Sequence, residues 1–141
     1  MISLNNQIER LILDTHVLIW CVEGIKLNKE QIALIEKMSE SASLFASAIS
    51  FWEIKMLLKK DKVSLPISFD EWLNKVTSHL KLNIIDLSMP ILISSCELPN
   101  CDHKDPADRF IIASCRHMDS HLMTFDQKIL DYGQKGYLKI A

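Results

Sequence analysis

Short apolar runs alternate with amphipathic stretches along this chain. Leu11-Ile12-Leu13 is a compact apolar run ending at Asp14, and residues 15–22 then carry a helical pattern with Gly24 as its stop. Asn28 can cap a second helix over 29–38, whose Ile32, Leu34, Ile35 and Met38 form an apolar stripe. A short strand is predicted over 43–46. A helix over 49–60 follows, opened by Ser47 or Ser50 and ended by Asp61-Lys62 and Pro66. Ser68 can cap the amphipathic helix 69–80. A strand over 83–87 leads to Ser88 and a helix with Pro90 in its first turn, reaching about Glu97. Residues 100–104 are a polar loop, and 106–117 a further helix. A strand over 121–125 ends at Asp126 and a short helix runs to about Asp131. Turns at Gly133 and Gly136 precede a last strand over 137–140. Short apolar strands alternating with helices imply an α/β fold with a parallel sheet covered on both faces.

Composition agrees. The chain of 141 residues is the length of one domain, 1–141, without repeat or linker. Its 48% hydrophobic and 24% charged content, with only three glycines and four prolines, suits an ordinary globular protein. Residues 1–9 are too polar for a signal peptide, and the longest apolar run, Val17 to Val22, is too short to span a bilayer. The expectation is a cytoplasmic protein with no membrane association, whose four cysteines are reduced. A net charge of −2 gives no global attraction to nucleic acid, so a nucleic-acid substrate would need a local basic patch or bound cations.

The acids change the picture. In open α/β sheets ligands bind beyond the carboxyl ends of the strands, and that is where Asp14 and Asp126 stand. Each can also serve as a helix cap. Glu53 lies in the first turns of a helix among Ile49, Phe51, Trp52, Ile54 and Met56. A covered glutamate there needs a partner, although an acid complementing the helix dipole is the simpler reading. Asp105 before Pro106 has the signature of an N-cap, with a possible supporting role at a site. Asp108 starts the inward stripe Asp108, Ile111, Ile112, Cys115 and so faces the core side of its helix. Carboxylates that converge repel one another unless protons or a cation hold them, and oxygen donors in number suit Mg²⁺ or Mn²⁺. Such a site points to hydrolysis of a phosphate ester. Cys96, Cys101, His103, Cys115 and His117 lack the paired spacing of a zinc site. His16 reads as a helix-start residue near the site or a core histidine. Trp20, Trp52 and Trp72 read as core. No glycine-rich phosphate loop is present.

Four segments in order carry a family resemblance: Leu11-Ile12-Leu13-Asp14-Thr15-His16, residues 47–54, residues 103–113 and Leu122-Met123-Thr124-Phe125-Asp126. In them the chain resembles the PIN-domain ribonucleases, most closely the VapC-like toxins of prokaryotic toxin–antitoxin pairs. Phe51, Ala107 and the leader 1–9 depart from the usual pattern without touching an acid. The resemblance implies a three-layer α/β/α sandwich with a mostly parallel sheet of about five short strands. It also implies a Mg²⁺- or Mn²⁺-dependent endoribonuclease with Asp14, Glu53, Asp108 and Asp126 as catalytic metal ligands. Thr15 falls where a hydroxyl often stands near the metal; Asp105 and Arg109 are further supporting residues. A homodimer and a small antitoxin partner are implied as well. Lys55, Lys59, Lys104 and Arg109, with Lys60 and Lys62, could bind the RNA backbone; a solvated helix face is the plainer reading of the lysines. The alternatives are a silent RNA-binding or complex-forming module of the same fold, and a metal-dependent DNA nuclease or phosphatase.

Overall fold

In the computed structural model of the protein, residues 8–23 and 25–141 are described. The expected stop at Gly24 and most of the leader lie outside them. The element order is β1 (Leu11–Leu13), α1 (Thr15–Glu23), α2 (Lys29–Glu40), β2 (Leu44–Ser47), α3 (Ala48–Lys59), α4 (Phe69–His79), β3 (Asn83–Ile85), α5 (Met89–Cys96), α6 (Pro106–His117), β4 (His121–Met123), α7 (Gln127–Gln134) and β5 (Lys139–Ile140). The five strands form one sheet in the order β3-β2-β1-β4-β5, and every pairing is parallel.

Strand alternation sorts the apolar side chains into two cores. Leu11 and Leu13 point to one face of the central strand β1, and Ile12 to the other. The first face packs against Val17 and Leu18 of α1, Ile35 and Met38 of α2, Ile54 of α3, and Trp72 and Val76 of α4. The second packs with Ile91 of α5, Ile111 and Ile112 of α6, and Ile129 and Tyr132 of α7. The result is the expected α/β/α sandwich. Among the described residues no helix is long and apolar enough to cross a membrane.

Capping chemistry sets several helix starts. Asn28 and Gln31 form a reciprocal capping box on α2. Ser47 caps α3 through Ile49 N, and Ser68 caps α4 through Glu71 N. Ser88 occupies the cap position of α5 without a side-chain hydrogen bond, so Pro90 and not the serine hydroxyl marks that start.

Several boundaries depart from the sequence expectation, β3 ending at Ile85 and β5 beginning only at Lys139 among them, and two have a clear physical reason. β4 ends at Met123, two residues early, because Thr124 and Phe125 turn out of the ladder toward the site at the strand end. Gly133 does not turn the chain: it lies inside α7, which runs to Gln134. A Cβ at Gly133 would overlap Ile140 Cγ1 and crowd the Leu138 carbonyl at 3.3 Å. Overpacking of this kind costs about 1–3 kcal/mol, and the better helix propensity of alanine offsets about 1 kcal/mol. Gly133→Ala is expected to destabilise the fold by roughly 1 kcal/mol, read as a lower urea midpoint at unchanged slope. Gly136, with φ +93°, makes the turn.

Candidate active site

The strand order places the site. From β1 the chain moves outward to β2 and β3, then returns to the other side of β1 as β4 and β5. Crossovers therefore diverge between the carboxyl ends of β1 and β4, which is where α/β sheets open a crevice. Asp14 follows β1; Thr124 and Asp126 follow β4. A cavity of about 320 Å³ opens there, lined by Asp14, Thr15, Glu53, Asp105, Asp108 and Asp126, with His16, Trp20 and Phe125 at its rim. A second opening on the far side of the acids is lined by His103, Lys104, Asp105, Asp108, Asp126 and Lys128, among others.

Asp14 is 7% exposed and fixed from two sides. Its Oδ1 accepts from Thr15 N at 2.8 Å, and its Oδ2 from the Thr124 hydroxyl at 2.6 Å. Its main-chain carbonyl begins α1 by accepting from Leu18 N. Thr15 turns its hydroxyl to Glu53, donating to Oε1 at 2.5 Å, with Ser50 Oγ 3.0 Å away. The first turn of α1 thus ties β1 to α3.

Asp105 is the N-cap of α6, accepting from Asp108 N at 3.2 Å. Asp108 sits one turn inside, where its helical stripe faces inward. Asp126 caps α7 through Ile129 N. The caps at Asp105 and Asp126 each occupy one lone pair of a carboxylate oxygen and leave the others for a ligand.

These groups approach closely enough to share a cation. Ligand atoms of Glu53, Asp105 and Asp108 lie within 4.8 Å of one another, and so do those of His103, Asp108 and Asp126. Asp108 belongs to both groups, and Asp105 stands among the donors as well as being the cap. Asp14 lines the same cavity but joins neither compact group. Burial raises the pKa of Asp14 and Glu53, partly countered by Thr124 at Asp14 and by Thr15 at Glu53. For Asp108, burial and the charges of Asp105, Asp14, Glu53 and Asp126 push the pKa up to about 8. One carboxylate repelled by four others, in a set rich in oxygen donors, is the environment a hard divalent ion relieves. The residues fit such an ion.

Other sequence expectations need correction. Arg109 does not reach the cavity. Its Nε donates to the Ser95 carbonyl at 2.8 Å, and one terminal nitrogen donates to the carbonyls of Cys101 and His103 at 3.3 and 2.8 Å. It pins the 101–103 loop to α5 through Nε and that one terminal nitrogen. Lys55 lays its ammonium 4.5 Å from the Phe69 ring, a cation–π contact on the α4 side. Lys104, by contrast, lines the second opening together with Lys128, which the sequence reading missed. Trp72 is fully buried, but Trp52 is 58% exposed and borders an apolar cleft with Ile49, Leu87, Pro106 and Phe110 beside Glu53 and Asp105. Trp20 is half-buried and packs edge-on against Phe125. Among the described residues no cysteine joins a metal-capable group, and all four thiols are free. His103 and Thr124 also escaped the sequence reading as site residues.

A parallel sheet in this order, carrying acids at its carboxyl edge, defines the class of protein: an α/β domain with an acidic cluster able to hold a cation. The PIN domain family matches residues 11–135, and the chain belongs to that family. It is similar to Ribonuclease VapC22 of Mycobacterium tuberculosis, with 28% identity over 120 residues, 84% of this chain and 88% of that protein. Among solved structures it resembles VapBC2 from Rickettsia felis bound to a DNA fragment from their promoter: TM-score 0.63, 16% identity, covering 93% of this chain and 96% of that one. It also resembles FitAcB from Neisseria gonorrhoeae, with TM-score 0.64 and 14% identity over 92% of this chain and 95% of that one.

Proposed function

We propose that the protein is a divalent-metal-dependent endoribonuclease acting as the toxin of a toxin–antitoxin pair. The observation that carries this reading is the shared cavity of Asp14, Thr15, Glu53, Asp105, Asp108 and Asp126 in a PIN-domain chain similar to a ribonuclease. Asp14, Glu53, Asp108 and Asp126 would hold Mg²⁺ or Mn²⁺, with Asp105 as a further donor. A divalent ion held there supplies the charge that activates an attacking water and stabilises an in-line displacement at phosphorus. The protein's own residues do the positioning. Thr124 and the Thr15 amide fix the Asp14 carboxylate, and the Thr15 hydroxyl orients Glu53. Lys104 and Lys128 at the second opening supply positive charge for the RNA backbone. Hydrolysis of this kind leaves 5′-phosphate and 3′-hydroxyl ends. The similarity to chains from VapBC and FitAB assemblies supports a small antitoxin partner, and a homodimer is part of the same reading.

The test is cleavage by the purified protein with Mg²⁺, Mn²⁺ or chelator, using structured RNA, single-stranded DNA and a small phosphate ester in parallel. Ion-dependent cutting of RNA alone, with the stated ends, is the expected result. Cutting of DNA or the ester at comparable rates would replace the substrate assignment, and no cutting of any substrate with either ion would leave a silent binding module.

A further inference from the structure

His103 lies in the loop between α5 and α6, beside the acids and outside the expected ligand set. Its side chain is only 10% exposed. Both ring nitrogens are buried, and neither makes a hydrogen bond. Leaving a buried polar group without a partner costs about 1–3 kcal/mol, so such a group calls for an explanation. The backbone that carries the ring is also fixed: Arg109 donates to the Cys101 and His103 carbonyls and, through Nε, to the Ser95 carbonyl of α5.

The ring edge is aimed at the carboxylates. Nε2 stands 3.1 Å from Asp108 Oδ2 and 3.8 Å from Asp126 Oδ1. The nearer contact has a hydrogen-bond distance without hydrogen-bond geometry. Two ligands each about 2.1 Å from an octahedral ion, and at right angles about it, stand about 3 Å apart. The His103–Asp108 separation has that value, and Asp126 completes a three-point set at a wider angle. The Asp126 cap uses Oδ1 for Ile129 N, and each carboxylate oxygen has lone pairs to spare.

We propose that His103 is a direct nitrogen ligand to a divalent cation, forming with Asp108 and Asp126 a mixed nitrogen–oxygen subsite that meets the all-oxygen Glu53–Asp105–Asp108 subsite at Asp108. This rests on the acidic cation site proposed above and specifies its composition. An imidazole ligand shifts preference from Mg²⁺ toward transition-metal ions, since Mg²⁺ favours oxygen donors. The competing arrangement is a charged imidazole that merely pairs with the two carboxylates, in which case nitrogen never touches the ion.

Mn²⁺ is the probe, read by electron spin-echo envelope modulation on the full-length protein. A directly bound imidazole gives ¹⁴N modulation that changes when histidine alone is ¹⁵N-labelled. The signal is expected in the wild type, retained in His16→Gln (the histidine that lines the Asp14–Glu53 cavity, while His103 lines the second opening) and lost in His103→Gln. Calorimetry is expected to show Mn²⁺ affinity falling on the order of 10-fold or more in His103→Gln, with a smaller loss for Mg²⁺. Bound Mn²⁺ with no nitrogen modulation in the wild type overturns the proposal and leaves the acid site standing. A signal that follows His16 instead of His103 overturns it in the same way. No Mn²⁺ binding at all overturns both this inference and the cation site beneath it. Should His103→Gln fail to fold, the labelled wild type and His16→Gln together still decide the question.

Discussion

Asp108→Asn is expected to reduce RNA cleavage by on the order of 10²- to 10³-fold, the size of effect seen when a group that stabilises transition-state charge is lost. The same change is expected to raise the stability of the metal-free protein. Asp108 shares a pocket with Asp105, Asp14, Glu53 and Asp126, and burial, reinforced by their charges, pushes its pKa up to about 8. Asparagine keeps the shape and the contact with the His103 ring but removes the cost of holding a carboxyl protonated far above its ordinary pKa. Relief of functional-site strain of this type is worth roughly 0.5–2 kcal/mol. Activity and stability therefore move in opposite directions, which distinguishes a functional acid from a structural one. Asp14→Asn should lose activity similarly without gaining stability, because its carboxylate accepts from both Thr15 N and Thr124. The double variant should be little worse than either single one, since ligands of one site act as a unit. Melting in chelator and cleavage rates on the same preparations give the answer. An Asp108→Asn protein less stable than the wild type in chelator, or still active, contradicts this account.

The sequence made much of this arrangement legible because its cues were local. Asp-Pro announces a helix start, and the spacing Asp108, Ile111, Ile112, Cys115 fixes which side of α6 the second acid faces. The structure bears out both, with Asp105 capping Asp108 N and the three stripe residues fully buried. Asp14 and Asp126 were readable from apolar runs that stop at an acid. What stayed hidden was non-local. The hydroxyl that fixes Asp14 comes from Thr124, 110 residues away, and depends on the parallel register of β1 with β4. His103 sits in a polar loop whose pattern carries no periodicity, and its approach to Asp108 and Asp126 depends on the tertiary path of that loop, pinned by Arg109 at the His103 carbonyl. Trp52 was misassigned for a different reason. α3 is apolar on most sides, with Ile49, Phe51, Trp52, Ile54, Met56, Leu57 and Leu58, so periodicity selects no single face. The buried direction was set by Ser50 and Ile54 instead, and Trp52 was left bordering the cleft next to Glu53. The lysines divide because sequence neighbours need not share a destination: Lys55 of α3 lies against Phe69, whereas Lys104 lines the opening beside the acids from another loop.

The second large effect links protons, metal and stability. Folding raises the pKa of Asp108 to about 8 and moves those of Asp14 and Glu53 in the same direction. Below their unfolded values, near pH 4, these groups are protonated in both states. Above that, the unfolded chain releases protons that the folded one retains, so stability falls as pH rises and levels off once the folded Asp108 has ionised. The pair Asp119–Lys139 is exposed and lowers the Asp119 pKa, so it opposes the trend only below about pH 4, while burial lowers the pKa of the single imidazole His121, a smaller counter-effect confined to the acid side of about pH 6.5. Metal-free protein is expected to lose on the order of a few kcal/mol between about pH 5 and pH 8, a fall of on the order of 10 °C in melting temperature. A divalent ion reverses the slope. Its ligands must be deprotonated, so binding strengthens as pH rises and releases protons. At an ion concentration about a hundredfold over Kd, binding adds about 2.7 kcal/mol. Melting curves from pH 5 to 8, in chelator and in Mn²⁺, should thus diverge steadily, with the largest gap at the alkaline end. Calorimetry in buffers of different ionisation enthalpy should register proton release near neutral pH. In Asp108→Asn both the fall in chelator and the Mn²⁺ response should shrink together, because one carboxylate underlies both. Parallel curves with and without ion across this range would show that the acids are not linked to a cation, whatever their proximity.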